Sequence, residues 1–417
     1  MKLSWTIATT LIFTQVLGGL ASASVPSVAQ IPRSQVTTLS RDAVTPPNQK
    51  LTLEKPAVFT QEPSSTPDSL GQELMQQVFG CIQENISSPQ QPSMAALEAA
   101  SMQCVFKVVM LAPDGSIRPD ASDRLTALVR TTGVTLPKPS GQGQAVVQLQ
   151  QLPDSQIFTI PVTISGQSQT FLFDTGASNS IVDSQIAKKL GLAGTPIPPD
   201  LLQYMVVGKD CSEVNATLHS LPALSVEAAK VEGINGLGLP RKAIISNLSG
   251  VLGLDFLSSF DVILNPKTLQ VQLLPPSNSI PDAIPLKGKL GVMTTQVYIN
   301  GQGPFTFLLD TGASWMVVSE DLAKRLSLDV TQAKETEVRG FCGAETGKQT
   351  KLAQVRLQQH QSTNLDAVVL SSGVLDVLGV DGIVGQNFLN QYRQHWRFGD
   401  RNELSFPEEG SLVLSPL

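Results

Sequence analysis

The sequence predicts a mainly β protein made of two successive halves of one design, preceded by a small helical unit. Three observations carry this. The string Phe171-Leu172-Phe173-Asp174-Thr175-Gly176-Ala177-Ser178 returns as Phe307-Leu308-Leu309-Asp310-Thr311-Gly312-Ala313-Ser314. Each copy also closes alike, with Val251-Leu252-Gly253-Leu254-Asp255-Phe256-Leu257 in the first and Ile383-Val384-Gly385-Gln386-Asn387-Phe388-Leu389 in the second, at nearly equal spacing from its Asp. Around these motifs run short stretches rich in Val, Ile, Phe and Thr and broken by Gly and Pro, such as residues 157–162 and 297–301, which is an all-β pattern. A motif set repeated in the same order is an internal duplication, and it governs how the whole chain is read.

Taken in order, the first element is a signal peptide, residues 1–23: Lys2, an apolar stretch over 3–20, and the small-residue site Ala21-Ser22-Ala23. Thr9, Thr10, Thr14 and Gln15 interrupt the apolar stretch, which is only marginally long enough to span a bilayer. The chain is therefore expected to be secreted or periplasmic, with no stable membrane insertion beyond this peptide. Residues 24–69, rich in Pro, Ser, Thr and Gln, bury too little apolar surface to offset their ordering entropy and read as a tether. Residues 70–135 read as a small helical domain, with Leu74, Met75, Val78 and Phe79 spaced for one helix face and a second helix starting at 94–97. A polar linker over 137–144 leads to the two copies, 145–275 and 286–417. Between them the Pro-rich connection from Pro275-Pro276 to Pro285 can extend about 33–36 Å, enough for the halves to lie side by side.

Composition narrows the function. Of 417 residues 41% are hydrophobic and 15% charged, which excludes a wholly disordered chain, and a net charge of -6 without basic runs gives no reason to expect a nucleic acid partner. The three histidines stand far apart and no metal-binding spacing or Gly-x-Ser-x-Gly occurs, so no metal, cofactor or serine nucleophile is expected. That leaves the repeated acid. In each copy an apolar strand delivers an Asp to a Thr-Gly turn and another apolar strand leaves it, so the carboxylate sits in hydrophobic surroundings at a cost in stability unless its charge is used or compensated. Two such sites at matching places point to paired carboxylates.

On these residues both copies resemble retropepsin-type aspartic protease domains, over about 145–275 and 286–410. The resemblance implies two β-barrel domains related by a pseudo-two-fold axis, each supplying one catalytic Asp, as in the two lobes of pepsin-like relatives. It implies Asp174 and Asp310 as the catalytic pair, Thr175, Gly176, Thr311 and Gly312 as their supporting turns, with the threonines bonded across the interface, and Gly253 and Gly385 packed beside those turns. The expected activity is that of an aspartic endopeptidase, active as a monomer on a polypeptide substrate. One proton shared by the two carboxylates implies a bell-shaped pH profile. Ala177 and Ala313 stand where pepsin-like relatives carry hydroxyl residues, so an optimum less acidic than pepsin's, at roughly pH 4 to 6, is expected. The rival reading is a peptide-binding or scaffolding protein that keeps the fold without turnover; the loss of either Asp would favour it, and both are present.

Four cysteines in an exported chain suggest disulfides. Cys81 and Cys104 share the helical unit and form the obvious local pair. Cys211 and Cys342 lie almost equally far ahead of their closing glycines. In the family that stretch holds the flap, the hairpin covering the substrate, so these two either bond and tie the flaps together or remain buried thiols. Finally, Gln391-Tyr392-Arg393-Gln394-His395-Trp396-Arg397 is more polar than its counterpart over 258–264, which is read as exposure at a sheet edge.

Overall fold

In a computed structural model, which describes residues 67–86, 93–134, 136–208 and 211–417 and a two-residue strand at Trp5–Thr6, the two sequence copies fold alike. The expected signal peptide, apart from that strand, and residues 24–66 of the expected tether lie outside the described residues. In the first copy β1 (Phe158–Ile164) pairs antiparallel with β2 (Gln167–Phe173). The turn joining them, Ser165-Gly166, has positive φ at both residues, the backbone that a two-residue hairpin matched to strand twist requires. β2 runs into the first Asp-Thr-Gly turn, the chain returns through β3 (Ile181–Asp183), and β4 (Gly250–Leu252) lies parallel to β2 and antiparallel to β3.

The second copy repeats this with β5 (Val292–Ile299), β6 (Gln302–Leu309), β7 (Met316–Ser319) and β8 (Gly382–Val384). Asn300-Gly301 makes the equivalent hairpin turn, and β8 runs parallel to β6 and antiparallel to β7. Every residue of β4 and β8 is buried. Strands covered on both faces carry unbroken apolar runs, which is why these segments read Gly-Val-Leu and Gly-Ile-Val rather than alternating.

The two lobes share one sheet, in the order 284–289, 409–416, 392–398, 261–265, 270–274, 145–148. Its central seam pairs Val262 of the first lobe with Trp396 of the second. This corrects the expected edge exposure of 391–397, since strand Tyr392–Phe398 has neighbours on both sides, and Trp396 and Gln394 are fully buried. Its two buried polar side chains are paired: Trp396 Nε1 donates to Gln394 Oε1 at 3.1 Å and Gln394 Nε2 donates to Leu389 O at 3.1 Å, while Gln391 and Arg393 stay exposed.

The helical unit comprises α1 (Pro67–Asn85), α2 (Met94–Val105), continued by a π-helical turn over Phe106–Met110, and α3 (Ala121–Thr132). Ser93 caps α2 by accepting from Ala96 N, and Gly133 ends α3 in the left-handed conformation. Helices α1 and α3 cross closely at Gly71, where a β-carbon would come within 1.8 Å of Thr131 Oγ1. Leu74 and Val78 are buried, whereas Phe79, expected on the same face, is 45% exposed. Cys81 and Cys104 are disulfide-bonded and tie α1 to α2. Of the segment read as a polar linker, Ser140–Gln142 forms a strand against Ala229–Glu232 of the first lobe.

Candidate active site

The two Asp-Thr-Gly turns meet where the lobes touch, and they interlock. Thr175 N donates to Thr311 Oγ1 at 2.9 Å, and Thr311 N donates to Thr175 Oγ1 at 3.1 Å. Each hydroxyl in turn donates across the interface, Thr175 to Leu309 O at 3.0 Å and Thr311 to Phe173 O at 3.2 Å. Four buried hydrogen bonds, every one between lobes, fix the turns relative to each other. The carboxylates follow. Asp174 Oδ1 accepts from Gly176 N and Asp310 Oδ1 from Gly312 N, both at 2.7 Å. A β-carbon on Gly176 would stand 2.3 Å from Asp310 Cγ, and one on Gly312 would stand 2.5 Å from Asp174 Cγ. Each carboxyl therefore lies on the glycine of the opposite turn, a position that any side chain there would fill.

Both aspartates are fully buried. Burial first, then the negative charge of Asp310 and a hydrogen bond shared with it, raise the Asp174 pKa well above the ordinary carboxylate range, while the Gly176 and Ala177 amides act in the opposite direction. Two carboxyl groups this close in an apolar setting hold a proton between them.

The closing segments brace the turns from behind. Asp174 N donates to Leu252 O and Asp310 N to Val384 O, while Leu254 N and Gln386 N donate to the carbonyls of Ala177 and Ala313. Gly253 and Gly385 lie against this backbone, with a β-carbon predicted only 2.8 Å from Ala177 O or Ala313 O. The sequence analysis brought these glycines to the site but passed over the residues two places on. Asp255 Oδ2 accepts from Ser180 N at 2.7 Å and its Oδ1 from Ser180 Oγ at 2.6 Å. At the matching place Asn387 Oδ1 accepts from Met316 N at 2.9 Å and its Nδ2 donates to Asp366 O at 2.7 Å. Burial raises the Asp255 pKa to about 6, against the pull of Ser180 and of Arg401, whose Nη2 donates to Asp255 O at 2.9 Å. The signal was in the repeated closing motif, but a buried carboxylate and a half-buried amide look like ordinary polar residues until their partners are known.

The hairpins at the places of the expected flaps, one from each lobe, meet at their tips. In the second lobe Glu335–Gly340 pairs with Gly343–Leu357 around Phe341-Cys342; in the first, Thr195–Ile197 pairs with Ala216–Ser220 around a long tip that holds the short helix Pro199–Leu202. Cys211 and Cys342 are disulfide-bonded, with Cα atoms 4.7 Å apart, and Cys342 N donates to Val207 O at 3.2 Å. Gly208 N donates to the buried Glu345 Oε1 at 3.1 Å. The flaps are thus stitched tip to tip.

Comparison with known proteins agrees with this duplication. The model of the family described as gag-polyprotein putative aspartyl protease matches twice, over residues 160–259 and 295–391. Among solved structures the chain is similar to a retropepsin-like aspartic protease from Rickettsia conorii, at 17% identity and a TM-score of 0.24, covering 32% of this chain and 89% of that one. No curated protein matches.

Proposed function

We propose, from a chain that is a tandem of two retropepsin-like domains, that it hydrolyses peptide bonds with Asp174 and Asp310 as an intramolecular acid–base pair. The observation that carries this is the reciprocal Thr175–Thr311 lock, which sets the two aspartates against each other's glycines without a second chain. A water between the carboxyls gives a proton to the ionised one as its oxygen attacks the scissile carbonyl carbon. The protonated partner donates to the carbonyl oxygen, forming a tetrahedral diol. Collapse of the diol breaks the C–N bond as the nitrogen takes a proton from one carboxyl and a diol hydroxyl gives its proton to the other, so the product leaves as a carboxylic acid and an amine and the dyad again holds one proton. Neither a metal nor a covalent intermediate is required.

Two disulfides suit an oxidising compartment, in keeping with an exported enzyme. The experiment is hydrolysis of an unstructured polypeptide by the purified chain. Specific activity should not vary with enzyme concentration and should vanish in Asp174→Asn and in Asp310→Asn. A peptide-binding protein without turnover would bind the same polypeptide and leave it intact.

A further inference from the structure

A two-fold relation between lobes gives the cleft two equivalent ends. One lies between the first lobe's flap and residues 371–381 of the second lobe; the other lies between the second lobe's flap and the corresponding 240–249 loop of the first. The ends are occupied differently. At the first, Gln103 Nε2 reaches Asp200 at 3.3 Å and the Phe106 ring lies 4.8 Å from that of Tyr204, while Ser116 and Ile117 line a cavity with Leu375 and Asp376. Phe106, Val109 and Met110 are buried. The helical unit thus bridges the two elements that flank this end. Its last helix and the chain just after it are also held: Arg130 Nε meets Glu403 at 2.5 Å, and Ser405 Oγ donates to Pro137 O at 2.9 Å.

At the other end the described residues leave a cavity of about 590 Å³, lined by Glu213, Lys242, Ile244, Ile245, Arg339 and Phe341 among others. That volume falls in the range of ligand sites, and its apolar floor with charges of both signs suits a short polypeptide segment.

We infer that the helical unit closes one end of the cleft for good and that the substrate is read only at the other, so the intact chain cuts close to one end of a polypeptide. This rests on the peptidase reading and narrows the endopeptidase expectation drawn from sequence. Apolar burial of Phe106, Val109 and Met110 holds the unit, beside the ion pair of Arg130 with Glu403.

Two measurements on the full chain test this. Mass spectrometry of products from a long unstructured peptide should show cuts clustered at one terminus, the same one throughout, and Phe106→Ala with Met110→Ala should add interior cuts. Interior cuts by the unaltered chain overturn the inference. A photo-reactive version of that peptide on Asp174→Asn should label 241–247 and 337–344 and spare 371–381; labelling of both ends, or of neither, overturns it. Correct labelling without hydrolysis by the unaltered chain would sink the peptidase reading and leave only the one-ended seating of the polypeptide standing.

Discussion

The two lobes are alike where they touch each other's chemistry and unlike everywhere a substrate or a third element could reach. Their Asp-Thr-Gly turns make the same bonds to within a few tenths of an ångström, and both closing glycines meet the same carbonyls. Their flaps differ: a two-residue tip in the second lobe faces a long, partly helical tip in the first, in which Leu201, Leu202, Met205, Val206 and Val207 are buried. Behind the turns Ser180 and Asp255 stand where the second lobe has Met316 and Asn387. The lesson is that reciprocal bonds enforce symmetry. A change in Thr175 must be answered by Thr311, whereas a flap tip or a residue behind one turn can drift alone.

The sharpest way to break the comparison is at the dyad. Asp174→Asn and Asp310→Asn should each lower kcat by about 10³-fold or more, because each removes one of two acid–base roles; a large loss from one alone would mean the lobes are not catalytic equals. In Asp174→Asn the melting temperature at neutral pH should rise, since a carboxyl whose pKa is raised on folding favours the fold in acid and loses that contribution as pH climbs. Next in size is the flap disulfide, which joins residues 131 apart. Cys211→Ser with Cys342→Ser should cost up to about 5 kcal/mol in denaturant unfolding on a chain-entropy basis, against about 3 kcal/mol for the Cys81–Cys104 pair, whose separation is 23.

Asp255→Asn makes the first lobe resemble the second and tests whether that asymmetry matters. With a folded value of about 6 against an ordinary 3.8, Asp255 supports the fold fully below about pH 4 and loses that support as pH rises through 6, about 3 kcal/mol in all. The variant should flatten the stability–pH curve over that window, measured by urea midpoints; an unchanged slope would remove Asp255 as its source. Thr175→Val and Thr311→Val should each cost about 2 kcal/mol by leaving a buried amide unpaired, and together less than the sum, because they share one lock. The smallest effect belongs to Arg130→Ala at the half-exposed ion pair with Glu403, at most about 0.5 kcal/mol and weaker in salt.

The sequence by itself determined the duplication, the β class and the residues that form the dyad turns, because those depend on local pattern: apolar strand, tight turn, apolar strand, twice over. Asn300-Gly301 fixed a hairpin for the same reason, since its backbone preference acts within four residues. Only the tertiary structure decided what depends on partners far along the chain. The polar run over 391–397 became a central strand that buries Gln394 and Trp396, because these two pair with each other and β-neighbours flank the strand on both sides. Cys211 and Cys342, open in sequence between bond and free thiols, are joined because the flap tips converge. Asp255 is set apart from Asn387 by Ser180, seventy-five residues distant, and by Arg401 from the other lobe. The place of the helical unit at one end of the cleft was likewise invisible, because apolar side chains such as Phe106 and Met110 state that they will be buried and not against what.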